Sequence, residues 1–422
     1  MATDIPTLDQ PFSEGGIRTV NFFNGRLLTG EDLGREQEAR RQADARLGHA
    51  VGEGVASGLE VYFAGKPAGA AGPALTVKAG LAVSRDGRVL SLANDVTMAI
   101  ARRGNAGTDA VSCLFADCVG LSRGATMSGQ GLYLLSIGPA FVNEGRARSS
   151  GFDDGGVCNT DATVEAVRFR LTEIEARHLA ADPAARAAFS PGAADYRNRI
   201  AYRSFGKGVL PEWPADIASG AARRDDLLEA MGTELPASDV PLALIAFHSG
   251  FEHVFTDMWS VRRTVGRAEH GAAAAGLSDP GRLRTGAAMH RQFLDHYAEA
   301  APSAVAQQQG WGRAAFRWLP PAGVIPAMND DQMRRFFSGM NFREPVFIGA
   351  AALEPLIRES HWAPAIDTSR DETIWLYRTA PPVPQGRAPA LVFASGWLPY
   401  RGDARFDRDR YDQSNYALTT GA

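Results

Sequence analysis

The chain has 422 residues, more than one hydrophobic core ordinarily serves, so two domains or one domain with a large insertion is the expectation. Its composition, 45% hydrophobic and 22% charged, excludes disorder throughout. The formal charge of −4 sets 44 Lys and Arg against 48 Asp and Glu without a long block of either sign, and no basic stripe with interleaved aromatics offers itself to nucleic acid.

The opening MATDIPTLDQPFSEGG lacks the basic and apolar regions of a signal peptide, and no apolar run reaches the roughly 18 residues of a membrane helix. A protein made in the cytoplasm is therefore expected. Cys113, Cys118 and Cys158 are too few and too irregular for a disulfide framework or a zinc set, and read as small buried residues in a reducing compartment.

The N-terminal arm and first helix occupy residues 1–53. In NFFNGRLLTGEDLGREQEARRQ, Thr29 precedes a proline-free, charge-laced run to about Val51, and Asp32 stands at the third position after it, an Asp version of the capping box. Leu33, Ala39, Ala43 and Leu47 give this helix only a thin apolar stripe. Such a helix must lie on its own downstream sheet or on another subunit.

From Gly54 the period becomes two, and residues 54–171 read as a β-rich domain. Val55, Leu59, Val61 and Phe63 alternate, as do Leu75, Val77, Leu81 and Val83; Asp86-Gly87 then separates them from Val89, Leu90 and Leu92, a strong hairpin signal. Further strands are expected at 112–118, 132–139 and 163–171. Residues 172–239 read as a helical insertion built from TEIEARHLAAD, AADYRNRIAYRSFG and ARRDDLLEAMG. At 240–265 the strands of the β-rich domain return.

A small-residue connector and a helix near 282–300 occupy 266–312. A C-terminal β-rich domain follows at 313–422, with strands near 345–350, 373–378 and 390–396 and a helix at 353–360. The fold class is α+β: β-rich domains, an N-terminal helix and a helical insertion. No internal repeat has a fixed period.

Several motifs suggest chemistry without completing it. Gly120-Leu121-Ser122-Arg123-Gly124 matches the nucleophile elbow G-x-S-x-G, but ATMSGQG behind it is a poor helix. His178 and Glu175 share a helical run that reads as solvated surface. His248, Glu252 and His253 cluster at a hairpin tip, where a polar loop explains them better than a metal that would need further ligands. Asp407, Asp409 and Asp412 depart from the EF-hand order at Tyr411, and Arg401-Gly402-Asp403 is a short chance match. Phosphate loops are absent, so no cofactor and no metal is assigned.

Taken together, NFFNGRLLTGEDLGREQ, GEGVASGLEV and LTVKAGLAVSRDGRVLSL resemble the N-terminal signature of bacterial proteins that accompany phage-tail-like contractile injection systems, over about the first 95 residues. MWSVRR, FRWLPPAGVIP and IWLYR resemble later landmarks of that group. The chain departs from the pattern at Arg46-Leu47-Gly48-His49-Ala50-Val51, where an aromatic and glycines are expected. This leaves the contact made by the helix's end open.

The resemblance implies a structural, non-enzymatic subunit of the baseplate, fibre, cap or neck region, part of a particle that is released or membrane-associated. Its partners would be other tail and baseplate-like proteins and further copies of itself in a symmetric particle, without nucleic acid or a transmembrane segment. The docking residues implied are Phe22, Phe23, Asn24, Gly25, Arg26 and Leu33: the Phe pair would plug an apolar groove while the Asn-Gly turn reverses the chain. Three readings compete with docking. Phe22 and Phe23 could cover this domain's own core. The chain could instead be a surface- or glycan-binding module using Trp311, Trp318 or Trp397, or a carried hydrolase or toxin using Ser122 or the His248/His253 cluster.

Overall fold

A computed structural model of the chain describes residues 13–66, 73–100, 129–145, 161–180, 182–206, 226–266, 280–326, 328–361, 363–379, 390–396 and 398. The proposed elbow around Ser122, the strand expected at 112–118, all three cysteines, Trp397, the Arg-Gly-Asp triplet and the acidic run from Asp407 lie outside these residues. The described residues form an α+β fold.

Helix α1 runs Gly30–Val51. Strands β1 (Gly54–Gly58), β4 (Gly80–Val83) and β5 (Val89–Leu92) form one three-stranded sheet. Strands β2 (Val61–Phe63), β3 (Ala74–Val77) and β6 (Val96–Ala99) form a second. The β4–β5 hairpin turns at Asp86-Gly87. Gly87 donates its N–H to the Ser84 carbonyl at φ +80°, and Ser84 in turn donates to Arg88, so the reversal is a three-residue loop rather than a two-residue turn.

The third sheet has the order β10-β9-β7-β8, with β7 (Gly131–Glu144), β8 (Ala162–Glu173), β9 (Val240–His248) and β10 (Glu252–Asp257), all antiparallel. Its central strands are apolar without alternation because both faces are covered. On β7, Tyr133, Leu135 and Ile137 join Leu75, Val77 and Leu90 in one core. Leu132 and Leu134 face the other way, toward Ile200, Leu227 and Met231 on the helical segment. That segment contains α2 (Ala176–Leu179), α3 (Pro183–Arg186), α4 (Tyr196–Phe205) and α5 (Leu227–Met231). The strand β8 runs on to Glu173, so the helix expected from Thr172 shrinks to the single turn α2.

The C-terminal part repeats this logic. Strands β12 (Ala322–Pro326), β16 (Ala390–Ser395), β15 (Ile374–Thr379) and β13 (Val346–Ile348) form a sheet in that order, with β13 parallel to β15. Helices α6 (Pro280–Ala300), α7 (Trp311–Ala315) and α8 (Asp330–Phe337) cover one face around Phe293, Trp311, Phe316, Phe336 and Phe393. Helix α9 (Ala350–Ser360) covers the other through Leu356, against Tyr377 and Val392. A two-stranded pair joins β11 (Trp318–Leu319) to β14 (Ile366–Asp367).

The helix α4 bonds the two parts together. Asn198 receives the Trp318 N–H and donates to the Trp318 carbonyl, both at 2.9 Å, as another strand would. Next to it the buried Asp257 carboxylate accepts from Arg197 on α4 at 3.2 Å, from Gln292 on α6 at 2.9 Å and from the Ser260 hydroxyl at 2.6 Å. Burial pushes the Asp257 carboxyl up, but Arg197 and these hydrogen bonds outweigh it and hold it below the usual carboxylate value.

Candidate docking site

The arm of residues 13–29 and α1 form one unit that, among the described residues, closely approaches the sheets at the Gly48 end. Capping starts it. The Thr29 hydroxyl accepts the Asp32 N–H at 3.1 Å, and the Asp32 carboxylate accepts the Thr29 N–H at 3.3 Å, closing the capping box. The same carboxylate takes Arg26 at 2.8 Å, and Arg26 also donates to the Asn21 carbonyl at 2.7 Å. Arg26 thus fastens the segment from Asn21 to the first turn of the helix. The Thr29 backbone hydrogen bond, aided by the Thr29 hydroxyl and Arg26, holds the Asp32 carboxyl below its ordinary value.

Within that clasp, Asn24 and Gly25 form a tight turn. Arg26 donates its N–H to the Phe23 carbonyl at 3.2 Å, and Gly25 sits at φ +91°, where a side chain would be strained. The turn turns Phe22 and Phe23 outward: they are 51% and 63% exposed, with Leu27 at 89%, Leu28 at 53% and Leu33 at 51%. Phe22, Phe23, Asn24, Arg26 and Leu28 line a shallow open groove of about 250 Å³. The Phe pair is therefore not part of this chain's own described core.

The arm returns along α1. Val20 donates its N–H to Glu36 at 3.3 Å and Arg46 reaches the Gly15 carbonyl; Ala39, between these ties on the same face, is buried. At the other end, α1 abuts the β4–β5 turn backbone to backbone. A Cβ added at Gly48 would lie 1.9 Å from the Gly87 carbonyl oxygen, and one at Gly87 would lie 2.0 Å from that of Ala45. Gly48 thus makes the close contact at the helix's end that the resemblance left open. From Gly48 back to Gly30 is 18 residues, so the apolar tip stands roughly 27 Å from this anchor.

The sequence assigned Phe22, Phe23, Asn24, Gly25, Arg26 and Leu33 to docking, and the fold brings all six to the start of α1. It passed over Leu27 and Leu28, whose adjacency to Arg26 in a non-periodic stretch was the available signal, and Asp32, whose second role as the Arg26 partner needs three dimensions.

The other candidates scatter. His178 is buried rather than solvated: its Nδ1 accepts the Glu175 N–H at 3.0 Å and its Nε2 lies 3.1 Å from a Glu234 carboxylate oxygen. His253 stacks on Phe63 with centroids 4.0 Å apart and pairs with Thr256 at 2.9 Å. Burial, helped by Arg197, lowers its basicity. His248 and Glu252 face each other across the hairpin, and among the described residues no three His, Cys, Asp or Glu side chains gather as metal ligands. Trp311 is buried in the C-terminal core, and Trp318 stacks on Tyr202 with Arg199 and Arg317 over its ring, so neither offers a free sugar platform. No helix among the described residues is long and apolar enough to cross a membrane.

No family model and no curated protein matches the chain. A solved structure titled "Crystal structure of TssK" is similar at a TM-score of 0.26 and 10% identity, covering 66% of this chain and 50% of that one. The match spans half of that chain's length, and a likeness this distant carries no argument about function.

Proposed function

We propose that the chain is a non-enzymatic structural subunit of a contractile, phage-tail-like injection particle, seated in a neighbouring subunit through its N-terminal tip. The observation that supports this reading is the tip itself: five large apolar side chains held in solvent by a hydrogen-bonded clasp. Exposed apolar patches of this kind mark interaction sites, and a preformed one loses little conformational freedom on binding. The residues match the stretch that carries the family resemblance. A groove of aliphatic and aromatic side chains, with one acceptor for the outer face of Arg26, is the complementary surface.

The test is to express the tagged protein in its host, sediment the large particles and locate the label by electron microscopy. A label at a fixed place on a tube-and-sheath particle, lost when Phe22→Ser and Phe23→Ser are combined, supports the reading. A protein that stays in the supernatant as a small species overturns it, and an unchanged label in the double variant overturns the tip as the docking element.

A further inference from the structure

A second surface runs along α1 and shares only Leu33 with the tip. At about 100° per residue, Asp32, Glu36, Ala39 and Arg46 fall on the face the arm covers, and Ala45 and Gly48 on the face against the β4–β5 turn. Between these two faces runs a third, made by Leu33, Gln37, Arg40, Asp44, Leu47 and Val51. All six are exposed. Their spacing, four and three residues in alternation, is that of a coiled-coil seam.

The seam has a further property. Taken in reverse order, it complements itself about its midpoint. If a second α1 lies antiparallel across it, Leu33 meets Val51, Gln37 meets Leu47 and Arg40 meets Asp44, with each pairing made twice about a two-fold axis. A parallel partner would instead set Arg40 against Arg40 and Asp44 against Asp44. Elsewhere on the helix, charges find partners within the chain, Arg35 with Glu31 and Arg41 with Glu38. No ion pair of Arg40 or Asp44 occurs among the described residues.

We infer that α1 is a homodimerisation element that pairs antiparallel with α1 of a second copy, apolar at both ends of the seam and joined by two Arg40–Asp44 pairs at its centre. The contact is isologous and closes on itself. The opposed charges fix both orientation and register, as buried or flanking polar pairs do in coiled coils. Leu33 belongs to both surfaces, but Arg40 and Asp44 lie away from the clasp at Arg26 and Asp32, so substitutions there break the dimer without altering Phe22 and Phe23.

The experiment is analytical ultracentrifugation of the full-length chain over a concentration series, with helicity followed by circular dichroism. The wild type is expected to shift toward a dimer as concentration rises. Arg40→Asp sets Asp against Asp, and Asp44→Arg sets Arg against Arg, so each variant alone should be monomeric. An equimolar mixture of the two should form a one-to-one heterodimer, and the double exchange in one chain should restore the homodimer. Since the mixture assembles only from folded chains, it separates a lost interface from a lost fold. A wild type that stays monomeric at every concentration overturns the proposal. So does a dimer indifferent to either single reversal, or a double exchange that fails to restore association. Particle attachment lost on Phe22→Ser and Phe23→Ser with the dimer intact would show that the two surfaces are distinct.

Discussion

Two glycines on the same helix should respond oppositely to the same substitution. Gly34 has nothing within 4 Å of an added Cβ, whereas at Gly48 that atom would lie 1.9 Å from the Gly87 oxygen and 2.7 Å from its carbonyl carbon. Gly34→Ala removes backbone freedom from the unfolded chain and should favour the helix by about 1 kcal/mol. Gly48→Ala has the same intrinsic gain. To reach the 3.4 Å of an ordinary contact, however, helix or turn must shift by about 1.5 Å, and neither atom it meets can rotate away. Overpacking of this kind costs roughly 1–3 kcal/mol, which outweighs the propensity gain. The cost falls on docking of α1, because Gly48 is one of only three buried positions on the helix and the sheets keep their own cores. Hydrogen exchange should therefore show faster exchange along 30–51 in Gly48→Ala with little change in β7 and β9, and slower exchange in Gly34→Ala. Equal protection in the two variants would refute the close backbone approach, and with it the placement of the tip.

The clasp should be acid-sensitive. The Asp32 carboxyl titrates below its ordinary value, so its contribution is complete above the unfolded pKa and disappears as pH falls through the folded one. Amide exchange of residues 21–33 should rise in that acid range while β9 stays protected, and Asp32→Asn should remove the pH dependence. Arg26→Ala should loosen the same residues at neutral pH, measured by the same exchange experiment, and leave global stability within about 0.5 kcal/mol. Asp257→Ala acts on the core: it takes one of the two carboxylates from the buried Arg197, which keeps the more exposed Glu299, leaves Gln292 without its acceptor, and should cost about 1–3 kcal/mol in urea unfolding. The Asp257 pKa is also held low, so this stabilisation too is present above the unfolded pKa and lost as pH falls through the folded pKa.

Local rules made the N-terminal third legible. Thr29 and Asp32 close the capping box that their spacing announces, and Asp86-Gly87 reverses the chain between β4 and β5. The strands expected near 345–350, 373–378 and 390–396 and the helices near 282–300 and 353–360 fall close to β13, β15, β16, α6 and α9, whereas α7, α8 and the β11–β14 pair were not anticipated. What failed were judgements about burial. His178 reads as surface in a charged stretch, yet Glu175 and the distant Glu234 provide its partners and α5 closes over it. The ties Asn198 to Trp318 and Asp257 to Gln292 join residues far apart in sequence, and no periodicity signals them. At the candidate site the turn chemistry was readable, but whether Phe22 and Phe23 pointed inward or outward was not. Both outcomes use the same residues, and the outward orientation shows only in their exposure among the described residues.

That outward orientation has a consequence for how a partner could act on this chain. The tip stands at the far end of a helix whose other end rests on the turn of the β4–β5 hairpin, and β4 and β5 contribute Ala82, Leu90 and Leu92 to the core shared with β7 and β9. A partner that tilts α1 would act on the close Gly48–Gly87 contact at its base. Lengthening the side chain at Gly48 step by step, from Ala to Ser to Val, should thus weaken docking of α1 progressively without touching the tip's own apolar surface. If attachment to the particle depends on the tip alone, it will survive all three substitutions; if it depends on the angle at which α1 presents the tip, it will fall in parallel with protection of residues 30–51.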